Sequence, residues 1–341
     1  MATPTIPNGQ EHFFPIIYSG NGTGQKVGRF VPFTDNGTIA NSCIFNNYNT
    51  SNVGHYLQKA SMSAGNQQIA TFSAWIKWAG PVPTSGDTGP GYGTIIEQGN
   101  GNWTSTSHFM MYSDRGKIDW YHNGTSILKT NFRMNDVSKW YHVMWALDVT
   151  QSTASNRLKL YIDGDEQKSF SNDNRSSLSQ NTNVTYINAS GQQLNIGSTP
   201  SGNGYQGSYC YMAEINYIDG AALTPSTFGV TETTTGRWVP KTLSGITYGT
   251  NGFRMAFADS SNLGDDTSGN GYDLSVNGIA AGDQTSDSPT ENHAIGTATT
   301  ISGNAVPHTS EEGALAFSNP SGTSGRGVST AKSTLRLDPK A

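Results

Sequence analysis

The sequence predicts an all-β protein, a two-sheet antiparallel sandwich with an irregular N-terminal arm and a C-terminal extension. Three observations carry that reading. Short stretches alternate apolar and polar residues with the period of two that a half-buried strand requires. Turn clusters interrupt them every 8 to 15 residues or so, about the spacing of short strands in sandwiches and barrels. The chain holds 40 Gly and 14 Pro and sustains no helical period, which argues against long helices and against strand–helix alternation.

Residues 1–40 place Gly- and Pro-rich runs between short apolar pieces, Phe13-Phe-Pro-Ile-Ile-Tyr18 and Phe30-Val-Pro-Phe33. That is the pattern of an arm docking on another surface, or of an irregular start to a sheet. The sandwich proper is expected over 41–230. In Ile69–Trp78, Phe72, Ala74, Ile76 and Trp78 share one face, and Thr71, Ser73, Trp75 and Lys77 share the other. The strand reads as half buried, with Trp75 enlarging its second face.

Pro81–Gly93 is loop, and Thr94–Gln98 is a short strand. Ser107–Tyr112 and Lys117–His122 flank Ser113-Asp-Arg-Gly116, which favours a tight hairpin. Trp140–Val149 is the strongest strand, with Tyr141, Val143, Trp145, Leu147 and Val149 facing one way. Arg157–Ile162 alternates and ends at Asp163-Gly164, a second hairpin signal. Ser169–Ser190 reads as a long polar surface loop, and Gln193–Ile196 and Tyr209–Ile218 close the set. Leu223–Phe228 can form one helical turn, with Thr224 capping and Pro225 in the first position. Residues 231–294 form an extension packing on the sandwich. From 295 to 341 a Ser/Thr/Gly-rich tail has too few large apolar residues to fold alone, so it is either mobile or ordered by a partner.

Charged residues make up 13% of the chain, about half the usual share of roughly 25%. The formal net charge is −5, and no basic stripe for a polyanion exists, which argues against nucleic acid. No apolar run approaches the roughly 18 residues of a membrane span. The opening Met1–Asn8 lacks the basic start and apolar core of a signal peptide. Cys43 and Cys210 can pair once, but burial as small hydrophobes fits them better.

A family resemblance rests on particular segments: Thr71–Trp78, Lys139-Trp-Tyr-His-Val143, Asp148–Arg157, Lys159-Leu-Tyr-Ile-Asp-Gly164 and Tyr211–Gly220. These resemble the concanavalin A-like, laminin G-type jelly roll, in the version found in structural proteins and tail fibres of tailed, especially marine, bacteriophages. Downstream, Ala222–Gly229, Thr235–Lys241, Tyr248–Phe253, Asp259–Gly264, Thr267–Asp273 and Asp287-Ser-Pro-Thr290 follow in an order similar to phage virion proteins. The resemblance spans roughly residues 40–290. It implies a jelly-roll sandwich on the virion exterior, in a homo-oligomer for which a trimer is one option. The arm and tail would contact other virion proteins, and a host-surface glycan would be the ligand. A tail fibre or fibre-like appendage is the leading expectation. A capsid decoration or head-fibre protein and a polysaccharide-degrading enzyme are the alternatives.

The enzyme alternative needs two carboxylates about 5 to 10 Å apart across a glycosidic bond. Only Glu214 and Asp219 approach the pattern, and a spacing of five puts them on opposite faces of a strand, so no catalysis is expected. His142, between Tyr141 and Val143, reads as packed and hydrogen-bonded. Sugar recognition uses aromatics that stack on ring faces, with Asn, Asp and Gln on the hydroxyls. The loop aromatics Trp103, Tyr92 and Tyr205 are the candidates, whereas Trp75, Trp140 and Trp145 read as core. Asp259, Asp265, Asp266 and Asp273 lie among Asn and Gly, and two readings stand side by side. They could wrap Ca²⁺ with flexible-loop oxygens, or their side chains could bond backbone amides within turns, which the lack of EF-hand spacing favours.

Overall fold

A computed structural model describes residues 37–47, 54–82, 91, 93–100, 108–198, 207–233 and 236–290, together with the backbone of four short strands beyond 294. In chain order the strands are β1 (Ser42–Asn46), β2 (Tyr56–Lys59), β3 (Ile69–Trp78), β4 (Gly93–Gly99), β5 (His108–Asp114) and β6 (Lys117–His122). They continue as β7 (Thr125–Thr130), β8 (Tyr141–Asp148), β9 (Leu158–Ile162), β10 (Asp165–Glu166), β11 (Phe170–Asp173) and β12 (Gln193–Ile196). Then come β13 (Tyr209–Asp219), β14 (Gly229–Thr231), β15 (Trp238–Pro240), β16 (Phe253–Met255), β17 (Ser275–Asn277) and β18 (Gln284–Thr285).

Two eight-stranded antiparallel sheets face each other. The first runs β10-β9-β8-β3-β13-β1-β18, with β16 also on β13, and the second runs β11-β7-β6-β5-β4-β12-β2-β17. This is a concanavalin A-like jelly-roll sandwich. Residues 231–290 supply strands to both sheets, since β16 and β18 join the first and β17 joins the second. Past 294, β19 (Ile295–Thr297) pairs with β22 (Thr330–Lys332), and β20 (Thr309–Glu311) pairs with β21 (Ala316–Ser318). The arm over 1–36 lies outside the described residues. Among the described residues no helix is long and apolar enough to cross a membrane.

The inner faces follow the predicted alternation. Phe72, Ala74, Ile76 and Trp78 of β3 and Tyr141, Val143, Trp145 and Leu147 of β8 enter one large core. There Trp145 stacks on Phe72 at 6.3 Å and meets Trp120 edge-on at 6.2 Å. Cys43 and Cys210 are free thiols in this interior, and burial pushes both well above the ordinary thiol range.

The expectation that β3 is half buried needs correction, because its outer face is covered as well. Thr71 Oγ1 donates to the Ala221 carbonyl at 2.7 Å and accepts the Leu223 N–H at 2.9 Å. The following chain packs Phe228 and Tyr248 against Met144, Ala146, Tyr161 and Ile218. The short helical turn there is a 3-10 turn over Pro225–Thr227, and Thr224 precedes it without a side-chain cap. Ser169–Ser190 is likewise more than a surface loop. It contains β11 and buries Leu178, Val184 and Ile187 in the main core. Their irregular spacing hides them from a periodicity reading.

Three hairpins turn on paired left-handed residues: Arg115 and Gly116 (φ 52° and 79°), Asn123 and Gly124 (49° and 84°), and Asp163 and Gly164 (51° and 81°). This is the signature of type I′ turns, whose twist matches that of the strands. β13 carries a bulge. Ala213 pairs with Trp75 but Asn216 pairs with Ser73, and Glu214 between them has φ 48°. The bulge exchanges faces: Cys210 and Met212 point into the main core before it, Ile215 and Tyr217 after it.

Candidate functional site

The outer face of the first sheet holds an open cavity of about 690 Å³, bounded by three pieces distant in sequence. The turn before β8 brings Asp136, Lys139 and Trp140. The β9–β10 hairpin brings Asp163, and the β14–β15 ladder brings Trp238. Trp75 of β3 also lines it. The volume falls within the roughly 300–1,000 Å³ of small-molecule sites.

Each wall is fixed by local chemistry. Asp136 Oδ1 accepts the Ser138 N–H at 3.0 Å and its hydroxyl at 2.6 Å, closing the turn that leads into β8. Asp163 Oδ1 accepts the His142 N–H at 2.9 Å, and its Oδ2 takes Lys139 Nζ at 2.5 Å. Gly164 must be glycine on two counts. Its φ is 81°, and a Cβ there would lie 2.5 Å from the Trp238 ring. Trp238 stacks on His142 at 5.9 Å and donates its indole N–H to His142 Nδ1 at 3.2 Å. That leaves Nε2 as the protonated nitrogen, which donates to Ser73 Oγ at 2.8 Å. Burial lowers the His142 pKa to about 3, so the ring is neutral at ordinary pH. The packed, hydrogen-bonded histidine expected from the sequence is what the fold contains.

Trp75 and Trp140 are 3% and 7% exposed, core-like as expected, yet their edges line the cavity. Carboxylates and cations sit together at the rim, with Asp165 and Arg237 beside the Lys139–Asp163 pair. Indole surface flanked by alternating charges can hold a polar ligand with apolar faces.

The outer face of the second sheet buries a group of polar side chains. Glu97 Oε2 accepts Asn195 Nδ2 at 2.5 Å, and Asn195 Oδ1 accepts Gln58 Nε2 at 3.0 Å. Glu97 and His108 are 2% and 1% exposed. Burial raises the Glu97 pKa to about 7 and lowers that of His108 to about 4.

Tyr92, Trp103 and Tyr205 lie outside the described residues. Between described residues nearby, Thr94 bridges to Gly207. The four aspartates do not form one cluster. Asp259 Oδ1 accepts the Ser261 N–H and hydroxyl at 2.8 and 2.7 Å. Asp266 accepts the N–H groups of Arg254, Ser268 and Tyr272 at 2.9, 2.8 and 2.8 Å, and Asp273 accepts the Asp266 N–H at 3.0 Å. Asp265 is exposed. Among the described residues no three His, Cys, Asp or Glu side chains stand together in a way that could hold a metal ion.

Glu214 and Asp219 are both engaged. Glu214 forms a two-pronged ion pair with Arg254 of the neighbouring β16, with Nη2 to Oε2 at 3.1 Å. Asp219 accepts the Asn66 N–H at 2.7 Å, the Asn251 N–H at 3.1 Å, and side-chain amides of Asn188 and Asn251 at 3.0 and 3.2 Å. Trp238 and Asp163 were not legible as site residues, because the signal joining them is contact between a three-residue strand and a hairpin far from it in sequence.

The match to a family model agrees with the architecture. Residues 50–210 match the family model Laminin_G_3, described as the concanavalin A-like lectin/glucanases superfamily. The matched span runs from just before β2 to the start of β13, and the extension lies beyond it. Among solved structures, the chain is similar to domain 4 of AbnA, a GH43 extracellular arabinanase from Geobacillus stearothermophilus, in complex with arabinotriose. That similarity is 15% identity over 56% of this chain and 76% of that chain, with a TM-score of 0.30. A likeness that distant says nothing about what this chain binds. No curated protein matches significantly.

Proposed function

We propose that this chain is a structural protein of a phage virion, displayed on the particle exterior as a tail fibre or fibre-like appendage, that adheres to host-surface glycans without cleaving them. The observation that carries the binding reading is the cavity on the first sheet, where Trp75, Trp140 and Trp238 meet Asp163 and Lys139. Indole surface suits the apolar faces of sugar rings, and fixed carboxylate and ammonium groups suit their hydroxyls. The virion reading draws on the order of motifs from Thr71 to Thr290, which resembles that of phage structural proteins. Binding without cleavage is supported by Glu214 and Asp219, whose oxygens are taken up by Arg254 and by amide donors. Copies arrayed on one particle would turn weak single sites into firm attachment.

The test is binding of the full chain to an array of host-envelope glycans, with Asp165→Ala at the exposed lip and Trp238→Ala in the wall. Wild-type binding that falls at least about tenfold in both variants, roughly 1.4 kcal/mol or more, is the expected result. Binding that neither variant changes would remove the groove from the reading. Cryo-electron microscopy of the particle decides its position. Density on the capsid lattice would make the chain a decoration protein instead.

A further inference from the structure

Beside the cavity, on the same outer face, Lys77 of β3 meets Asp287, two residues past β18 and 210 residues away in sequence. Both side chains are interior, at 5% and 0% exposure. Lys77 Nζ lies against Asp287 Oδ2, while Trp140 Nε1 donates to the other carboxylate oxygen at 3.1 Å. The rings of Trp140 and Tyr211 flank Nζ, with centroids 5.5 and 5.3 Å away. Asp287 is held by its backbone too. Its N–H donates to Thr285 Oγ1 at 3.1 Å, and its carbonyl accepts the Ser42 hydroxyl at 2.6 Å. Amine and carboxyl are thus fixed against each other in an aromatic box that excludes water. Holding two opposite charges in such a box is costly, which favours a reaction that removes both. Burial lowers the Lys77 pKa, against the pull of Asp287.

We propose that Lys77 Nζ and Asp287 Cγ join in an intramolecular isopeptide bond. The ion pair first moves one proton from the ammonium to Oδ2, giving a free amine and a carboxylic acid. Nζ then attacks Cγ, and the carbonyl electron pair moves onto Oδ1, where the Trp140 N–H receives it. As the C=O re-forms, the Cγ–Oδ2 bond breaks and the hydroxyl takes a second proton from nitrogen. The products are one amide and one water, so no oxidant, metal or co-reactant is needed. The amide removes both charges from the box and ties the end of the sandwich to a central strand of the first sheet.

Intact mass spectrometry of the denatured full-length chain tests this directly. The expected mass is below that calculated from the sequence by one water molecule, and a tryptic digest should yield a branched peptide joining the Lys77 and Asp287 segments. Lys77→Met and Asp287→Ala should each restore the full calculated mass, whether or not the variant folds. A wild-type chain at its full mass, recovered from folded protein, overturns the proposal. So does a water deficit that persists in Lys77→Met.

Discussion

Trp238 donates its indole N–H to Nδ1 of His142 at 3.2 Å, a direct hydrogen bond between the extension and the strongest strand of the sandwich. The two residues are 96 apart in sequence and stack with an interplanar angle of 28°. The bond needs an unprotonated Nδ1.

Acid should therefore lower stability through this histidine. The folded pKa of His142 is lowered to about 3, against about 6.5 in an unfolded chain. Above the unfolded value the ring is neutral in both states and costs nothing. As pH falls from 6.5 towards 3 the unfolded state binds the proton and the folded state does not, so stability declines across that window. His108 acts in the same direction, with a folded pKa of about 4. Urea midpoints measured from pH 7 to pH 4 should fall for the wild type and fall less steeply for His142→Gln. Parallel slopes would remove His142 as the source.

Glu97 has the opposite sign. Burial raises its folded pKa to about 7, so its neutral form is favoured in the fold. That contribution is present in full below the unfolded value of about 4.5 and is lost as pH rises through 7. Glu97→Gln keeps an acceptor for the Asn195 amide without the charge. The variant should gain on the order of 1–3 kcal/mol at pH 8, and less at pH 4.5. Chemical denaturation at the two pH values reads the difference.

Gly164 sets the shape of the cavity. Alanine there would place a methyl group 2.5 Å from the Trp238 ring at a φ of 81°. The left-handed backbone alone costs about 1–2 kcal/mol, and the ring must also move. Gly164→Ala should lower stability by at least that amount and shift tryptophan fluorescence. It should also weaken glycan binding, whereas an alanine at Gly191, where no atom lies within 4 Å of the added Cβ, should leave the cavity intact.

The sandwich was legible because its strands obey the simplest rule of the pleat. Phe72 to Trp78 and Tyr141 to Val149 alternate without a break, and Asp163-Gly164 marks its own turn. The cavity was not legible. Trp75 and Trp140 satisfy every criterion for core residues and are buried, yet their edges form its lining. Trp238 sits in a strand of only three residues, too short to show a period. What joins Trp140, Asp163 and Trp238 is tertiary contact, and local spacing carries no trace of it. The bulge at Glu214 was equally hidden, since one extra residue looks like any other polar position in an alternating run.

That bulge makes the second half of β13 depend on a count. Core-facing positions are even-numbered before it, Cys210 and Met212, and odd-numbered after it, Ile215 and Tyr217, so one extra residue keeps both runs on the core. Removing Glu214 would close the bulge, set Ile215 opposite Ala74 and leave Ile215 and Tyr217 facing inward. Arg254 would lose its carboxylate partner. The bulge is thus a correction of phase written into the strand, and the one-codon deletion that looks most damaging would leave the pattern of the core intact.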